Sequence, residues 1–185
     1  MMLPAFRRGH HNRNIHALYG MIVAQARSPA FYSDYGVADT VEGRFELIVL
    51  HLVLVLCRLS PAAEASRDAA RSLGQQLFDV FCRDLDGNLR EMGVGDLAVP
   101  GKMRSFGEAF YGRQTAYRSA LASADGTELE KALARNIFGV TGIDGRALRL
   151  ARYVRASAHS LDAEQEDALV AGKTLFPNPE AFAHA

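Results

Sequence analysis

Asp84, Asp86 and Asn88 alternate as the first three ligands of a calcium loop do. Such a loop needs glycine at its sixth position for the sharp turn and a bidentate glutamate at its twelfth. Leu89 and Gly95 occupy those places, so calcium is not expected. Gly93-Val94-Gly95-Asp96-Leu97-Ala98 fits the loose dinucleotide pattern GxGxxA. That pattern carries a pyrophosphate only between a strand and a helix, and here a helical pattern precedes it and Pro100 follows. Gly101-Lys102 resembles the end of a phosphate loop. The required first glycine falls on Asp96, however, and Met103 stands where a magnesium-binding hydroxyl belongs. A di-iron bundle needs Glu-x-x-His at helical spacing, and the chain has none.

His51 stands alone on an apolar stretch and reads as a satisfied core or client-facing histidine rather than a ligand. His10, His11 and His16 lie in a basic N-terminal arm that offers no fixed coordination geometry. Cys57 and Cys82 form no CxxC pair, and two buried thiols in a reducing compartment is the preferred reading. No serine sits in a GxSxG elbow. Arg146, Arg149, Arg152 and Arg155 recur every third residue. Each step of three on a helix turns back about 60°, so they fan across half the circumference as a solvated face, with Asp162, Glu164, Glu166 and Asp167 as acidic neighbours. Neither catalysis, nor a metal, nor a cofactor gains positive support.

The elements that would position these residues are all helical. Ile15, Leu18, Ile22 and Ala26 share one helix face, closed by Ser28-Pro29. Thr40 is a plausible N-cap with Glu42 in the first turn. Val41, Phe45, Ile48, Leu52, Leu56 and Leu59 form the stripe of the next helix. Leu47, Leu50, Val53, Leu54 and Val55 make that helix apolar on nearly every side, which predicts the centre of a bundle or a face shown to a partner. Ser60-Pro61 starts a helix through Leu73, Leu77, Phe81 and Leu85 toward Leu89, broken by Gly93 and Gly95. Pro100 opens one with Met103, Phe106, Phe110, Tyr117 and Leu121. Thr127 and Glu130 form a capping box before Leu129, Leu133 and Ile137, stopping at Gly139. Leu148, Ala151, Val154, Ala158 and Leu161 mark another helix. Asp162 with Gln165 caps a short one ending at Gly172, and the tail from Phe176 is extended.

The expectation is an all-α, single-domain bundle of seven to eight helices over residues 13–172, with a flexible basic arm over 1–12 and an extended tail over 173–185. The 185 residues, 49% hydrophobic and 23% charged, suit one globular domain. A formal charge of zero excludes a molecule-wide nucleic-acid binder, and no specific nucleic acid sequence is expected as a partner. The longest apolar run, residues 47–57, is too short to span a bilayer, which needs about 20 residues. A cytoplasmic site follows as the default, with attachment at the inner face of the cytoplasmic membrane as a variant.

The stretch LYGMIVAQARSPAFYSDYGVADTVEGRFEL, residues 18–47, resembles the opening block of the ubiquinol–cytochrome c chaperone family, and LHLVLVLCRL, residues 50–59, continues it. FDVFCRDLDGNLREMGVGDLAVPGKM, residues 78–103, is similar to its second block, and FGEAFYGR, residues 106–113, to its third. The resemblance implies a helical protein without a catalytic centre or cofactor that assists early assembly of cytochrome b into the ubiquinol–cytochrome c reductase. The implied partner is cytochrome b or its nascent chain. Mitochondrial members also act with a small partner subunit and associate with the ribosome. The short N-terminus looks like a bacterial version, where ribosome and membrane surface are further partners to consider.

Charged residues in the matching blocks are the candidate partner contacts, because core packing does not explain them: Asp84, Asp86, Arg90, Glu91, Asp96, Lys102 and Arg113. Phe110 and Tyr111 join them, as do the apolar residues 44–59 and the aromatic group Phe31, Tyr32 and Tyr35. Charge reversal at Arg90 and Arg113 is expected to weaken cytochrome b accumulation and leave the fold intact. The competing reading, prompted by the apolar residues 44–59, is a helical carrier of a lipid or quinone.

Overall fold

Residues 41–58 are apolar all round through their middle, 47–55, because that stretch is surrounded. In the computed structural model, which describes residues 5–59, 67–163 and 176–183, they form helix α3, Val41–Arg58. Thr40 is extended, and its hydroxyl accepts from the Gly43 amide at 3.1 Å, as an N-cap should. Glu42 in the first turn and Arg58 in the last complement the helix dipole. Leu47, Val49, Leu50, Leu52, Val53, Leu54 and Val55 are fully or almost fully buried. Four helices cover them: α1, Ala5–Ala26; α5, Val99–Ala122; α6, Thr127–Ile137; and α7, Gly145–Ala163. Of the expected stripe only Leu52 and Leu59 are fully enclosed. Phe45, Ile48 and Leu56 pack at the margin of the core, and Val41 is exposed.

Helix α2, Ala30–Ser33, is a single turn that sends Phe31 and Tyr35 into the core. Helix α4, Arg67–Glu91, buries Leu73, Leu77, Val80, Phe81 and Leu89 and packs on α1 and α5. The expected start at Ser60-Pro61 lies outside the described residues. Helix α5 carries Pro100 in its first turn and buries Phe110, Tyr117 and Ala120. Thr127 does not cap α6. Asp125 does, accepting from the Thr127 amide at 2.9 Å and hydroxyl at 2.8 Å, because its carboxylate sits two residues ahead of the free amides. Asp144 likewise accepts from the amides of Arg146 and Ala147, each at 3.0 Å, at the start of α7. Leu148 is exposed, since the buried face of α7 runs through Ala147, Leu150, Ala151, Tyr153, Val154 and Leu161.

Two boundaries differ from expectation. Helix α1 begins at Ala5, within the stretch read as a flexible arm, since nothing after Pro4 forbids helical backbone. The last segment is not simply extended. It forms a one-turn helix α8, Glu180–Ala183, and buries Phe176 and Ala183. The proposed cap at Asp162 falls inside α7, and Gln165 to Gly172 lie outside the described residues. The described residues are helical and carry no strand, as the all-α reading requires. Among them, no helix is long and apolar enough to cross a membrane.

Candidate functional site

The candidate contact residues separate into three groups, and one of them builds a surface. Helix α4 ends at a glycine: Gly93 has φ 80°, its amide donates to Arg90 O at 2.9 Å, and the Val94 amide donates to Leu89 O at 3.0 Å. This pair of bonds is the Schellman closure, which needs a residue free to adopt positive φ. The Ala98 amide then donates to Gly95 O at 2.8 Å and leads into α5. Arg90 forks onto Asp86 at 2.7 and 3.4 Å and also bonds Asp96 across the loop. One guanidinium thereby ties residues 92–98 to the last turns of α4. Pairs this exposed contribute little to stability, so their effect is on where the loop points.

That loop holds Leu97 in water at 99% exposure and Met92 at 54%. Glu91 and Lys102 are exposed beside it. A leucine following two glycines and Asp96 in a turn is the signal that sequence reasoning passed over. The backbone here is closed by hydrogen bonds, so the apolar tip is held in place without being buried.

The second group is aromatic. Phe110 is buried between Phe78, at 4.8 Å between ring centroids, and Phe81, at 5.9 Å. It is a core residue and not a contact residue. Tyr111 is 57% exposed, with its ring 5.8 Å from Phe78 and edge-on to Phe110 at 5.5 Å. It ends, in water, an aromatic column that runs through buried Phe110 and Phe81 to half-buried Phe45 and Phe106.

The third group holds helices together. Asp84 accepts from the Tyr19 hydroxyl at 2.8 Å, joining α4 to α1, and burial together with that carboxylate raises the Tyr19 pKa. Arg113 grips both oxygens of Glu46, joining α5 to α3. Burial raises the Glu46 pKa against the pull of Arg113. Reversing Arg113 would set two carboxylates together in a half-buried site. Breaking a buried pair costs about 3 kcal/mol or more, so that substitution attacks the fold, contrary to the expectation that it would not. Arg90 is exposed, and its reversal leaves the core alone.

Of the other sequence candidates, Phe31 and Tyr35 are fully buried and Tyr32 half-buried, while within residues 44–59 the stretch Leu47–Val55 forms the packed centre and Arg44 is exposed. Asp84, Asp86 and Asn88 lie on continuous helix α4, which is not a loop geometry. Among the described residues no three His, Cys, Asp or Glu side chains gather as metal ligands would. The arginine run joins elements: Arg146 forks onto Asp144 at 2.7 and 2.9 Å and lies 4.7 Å over the Phe138 ring, while Arg155 bonds Gly126 O and approaches Glu130 at 3.6 Å. Of the acidic neighbours expected, Glu164, Glu166 and Asp167 lie outside the described residues.

His51 is the centre of a second, fully enclosed cluster. Its Nδ1 donates to Leu47 O at 2.7 Å, so its Nε2 accepts from the Tyr153 hydroxyl at 2.8 Å. Burial holds its pKa down at about 4. The rings of Phe31, Tyr153 and Phe176 surround it at 4.9 to 5.7 Å.

A family profile described as ubiquinol-cytochrome C chaperone matches residues 33–176. Among solved structures, the Cbp3 homolog from Brucella abortus is similar, with a TM-score of 0.84 and 35% identity over 97% of this chain and 98% of that one. No curated protein matches the chain.

Proposed function

The chain belongs to the ubiquinol–cytochrome c chaperone family, and from that premise we propose that it holds newly made cytochrome b through the tip of the α4–α5 hairpin. A role in assembly of complex III comes with the family. The finer reading rests on one observation: Leu97, wholly exposed, at the end of a loop fixed by the Arg90 ion pairs. Met92 stands in the same loop, Tyr111 is exposed about three turns further along α5, and Asp86, Glu91, Asp96 and Lys102 give the tip a charged border. Exposed apolar groups of this kind mark protein interaction sites.

The energetics suit a client that must be released. Burying Leu97 and Met92 against a client helix gains about 4 kcal/mol in all. That holds a chain waiting for its partner subunits without trapping it. The work is binding, with no reaction promoted and no cofactor engaged, and it takes place at the cytoplasmic face of the membrane that receives the client. No observation favours a lipid or quinone carrier, because the helix that suggested one is packed on all sides by neighbouring helices.

The test is co-isolation of pulse-labelled cytochrome b with the tagged, full-length chain. Wild-type protein enriches the client, and Leu97→Asp or Tyr111→Asp lowers its recovery about tenfold with unchanged helical circular dichroism, as loss of about 1.4 kcal/mol or more requires. Recovery no better than with an unrelated helical protein, or undiminished by Leu97→Asp, would sink the proposal.

A further inference from the structure

Residues 176–183 lie across a bed of rings that other elements supply. Phe31, Tyr35, His51 and Tyr153 already pack ring against ring at 5.1 to 6.3 Å. Onto this bed the terminal segment places Phe176, edge-on to His51 at 4.9 Å, and Phe182, 6.3 Å from Tyr153. Two polar side chains of the bed reach up to it. Gln25 Nε2 donates to Pro177 O at 3.1 Å, and the Tyr35 hydroxyl donates to Pro179 O at 2.7 Å.

Both acceptors are main-chain carbonyls of prolines. Proline has no amide hydrogen, so the segment offers carbonyls at those positions and nothing else. The bed therefore reads backbone by two hydrogen bonds and side chains by two aromatic seats six residues apart. This is how peptide grooves work: main-chain bonds supply grip and pockets supply choice. The segment's one-turn helix, closed by Asn178 accepting from the Glu180 amide at 3.1 Å, is too short to hold itself.

We infer that the bed between α1, α2 and α7 is a peptide-binding groove, which residues 176–183 fill in cis and which exchanges them for a client segment of the same chemistry. That chemistry is an aromatic residue, then a proline-containing turn that presents free carbonyls, then a second aromatic. The client half of the inference rests on the chaperone reading above, whereas the groove itself does not.

The experiment uses the full-length chain and a fluorescein-labelled peptide of residues 176–185. Phe176→Ala and, separately, Phe182→Ala unplug the groove, and each binds the peptide at least tenfold more tightly than wild type by anisotropy. Adding Tyr35→Phe to Phe176→Ala weakens that binding severalfold, because it removes a groove donor. Peptides tiled along the water-exposed loops of cytochrome b include at least one that displaces the label. The groove is overturned if folded Phe176→Ala and Phe182→Ala chains fail to bind, if binding ignores Tyr35→Phe, or if both unplugged chains lose their helical signal and the segment is thus permanent core. Displacement by no client peptide, with dimers forming instead, assigns the groove to a second copy of the chain and overturns the client half. Either failure leaves the Leu97 co-isolation result standing on its own.

Discussion

His51 illustrates how a residue that looks chemical becomes structural. On the sequence it is a lone polar side chain in an apolar run, which reads as a core or client-facing histidine rather than a ligand. The structure gives both ring nitrogens a partner, one from its own helix and one from α7, with no water-facing atom left. Such a ring is neutral. Its folded pKa of about 4 lies below the ordinary 6.5, so as pH falls the unfolded chain takes up the proton first. The stability this group contributes is therefore full above about pH 6.5 and is lost between 6.5 and about 4, by about 3 kcal/mol in total. Urea unfolding at pH 7 and at pH 4.5 should show that loss in the wild type and a clearly smaller one in His51→Gln. Equal losses in the two proteins would mean that His51 is not held neutral. Arg90 and Arg113 separate at the same scale. Both are arginines in matching blocks, and only exposure and partners show that one aims a loop while the other ties α5 to α3.

Among the elements, α3 was the most legible and also the most misleading. Its cap at Thr40 and its all-round apolar character read directly from the sequence, and both are observed. Its stripe did not read correctly, because a helix covered by four others has no single buried face for periodicity to reveal. The Asp125 and Asp144 caps went unseen for a different reason. Each sits before a glycine-containing turn, where side-chain caps and loop residues have the same composition. The sequence reading names the charged residues of the hairpin as candidates but not Leu97 and Met92, since hydrophobic pattern alone cannot show that a loop residue lies in water. Residue order is also silent on long-range pairs such as Tyr19 with Asp84 and Arg113 with Glu46, 65 and 67 positions apart. Gly43 carries the element-scale prediction. A Cβ there would lie 2.0 Å from Ala38 O, which is backbone and cannot step aside. Gly43→Ala should therefore cost about 3 kcal/mol, the upper range for overpacking. A thermal midpoint within a degree or two of wild type would contradict the tight Thr40–Gly43 start of α3.

For the molecule as a whole, the division of labour is between a dense centre and an ordered, partly apolar rim. The core spends nearly all its aromatic residues on inter-helix packing, in one column from Phe45 to Tyr111 and one cluster about His51. The exposed hairpin tip and Tyr111, and the bed beneath residues 176–183 once vacated, are the seats proposed for another polypeptide. A frame packed this densely can offer apolar surface in water without collapsing onto it, as the proposed chaperone role requires. The most direct measurement is the steady-state level of cytochrome b and of assembled complex III in a strain lacking this protein, complemented with wild type or with Leu97→Asp. The account predicts loss of that complex alone among the respiratory enzymes, rescue by wild type, and failure of rescue by Leu97→Asp at equal protein abundance. Normal complex III without the protein, or full rescue by Leu97→Asp, would contradict it.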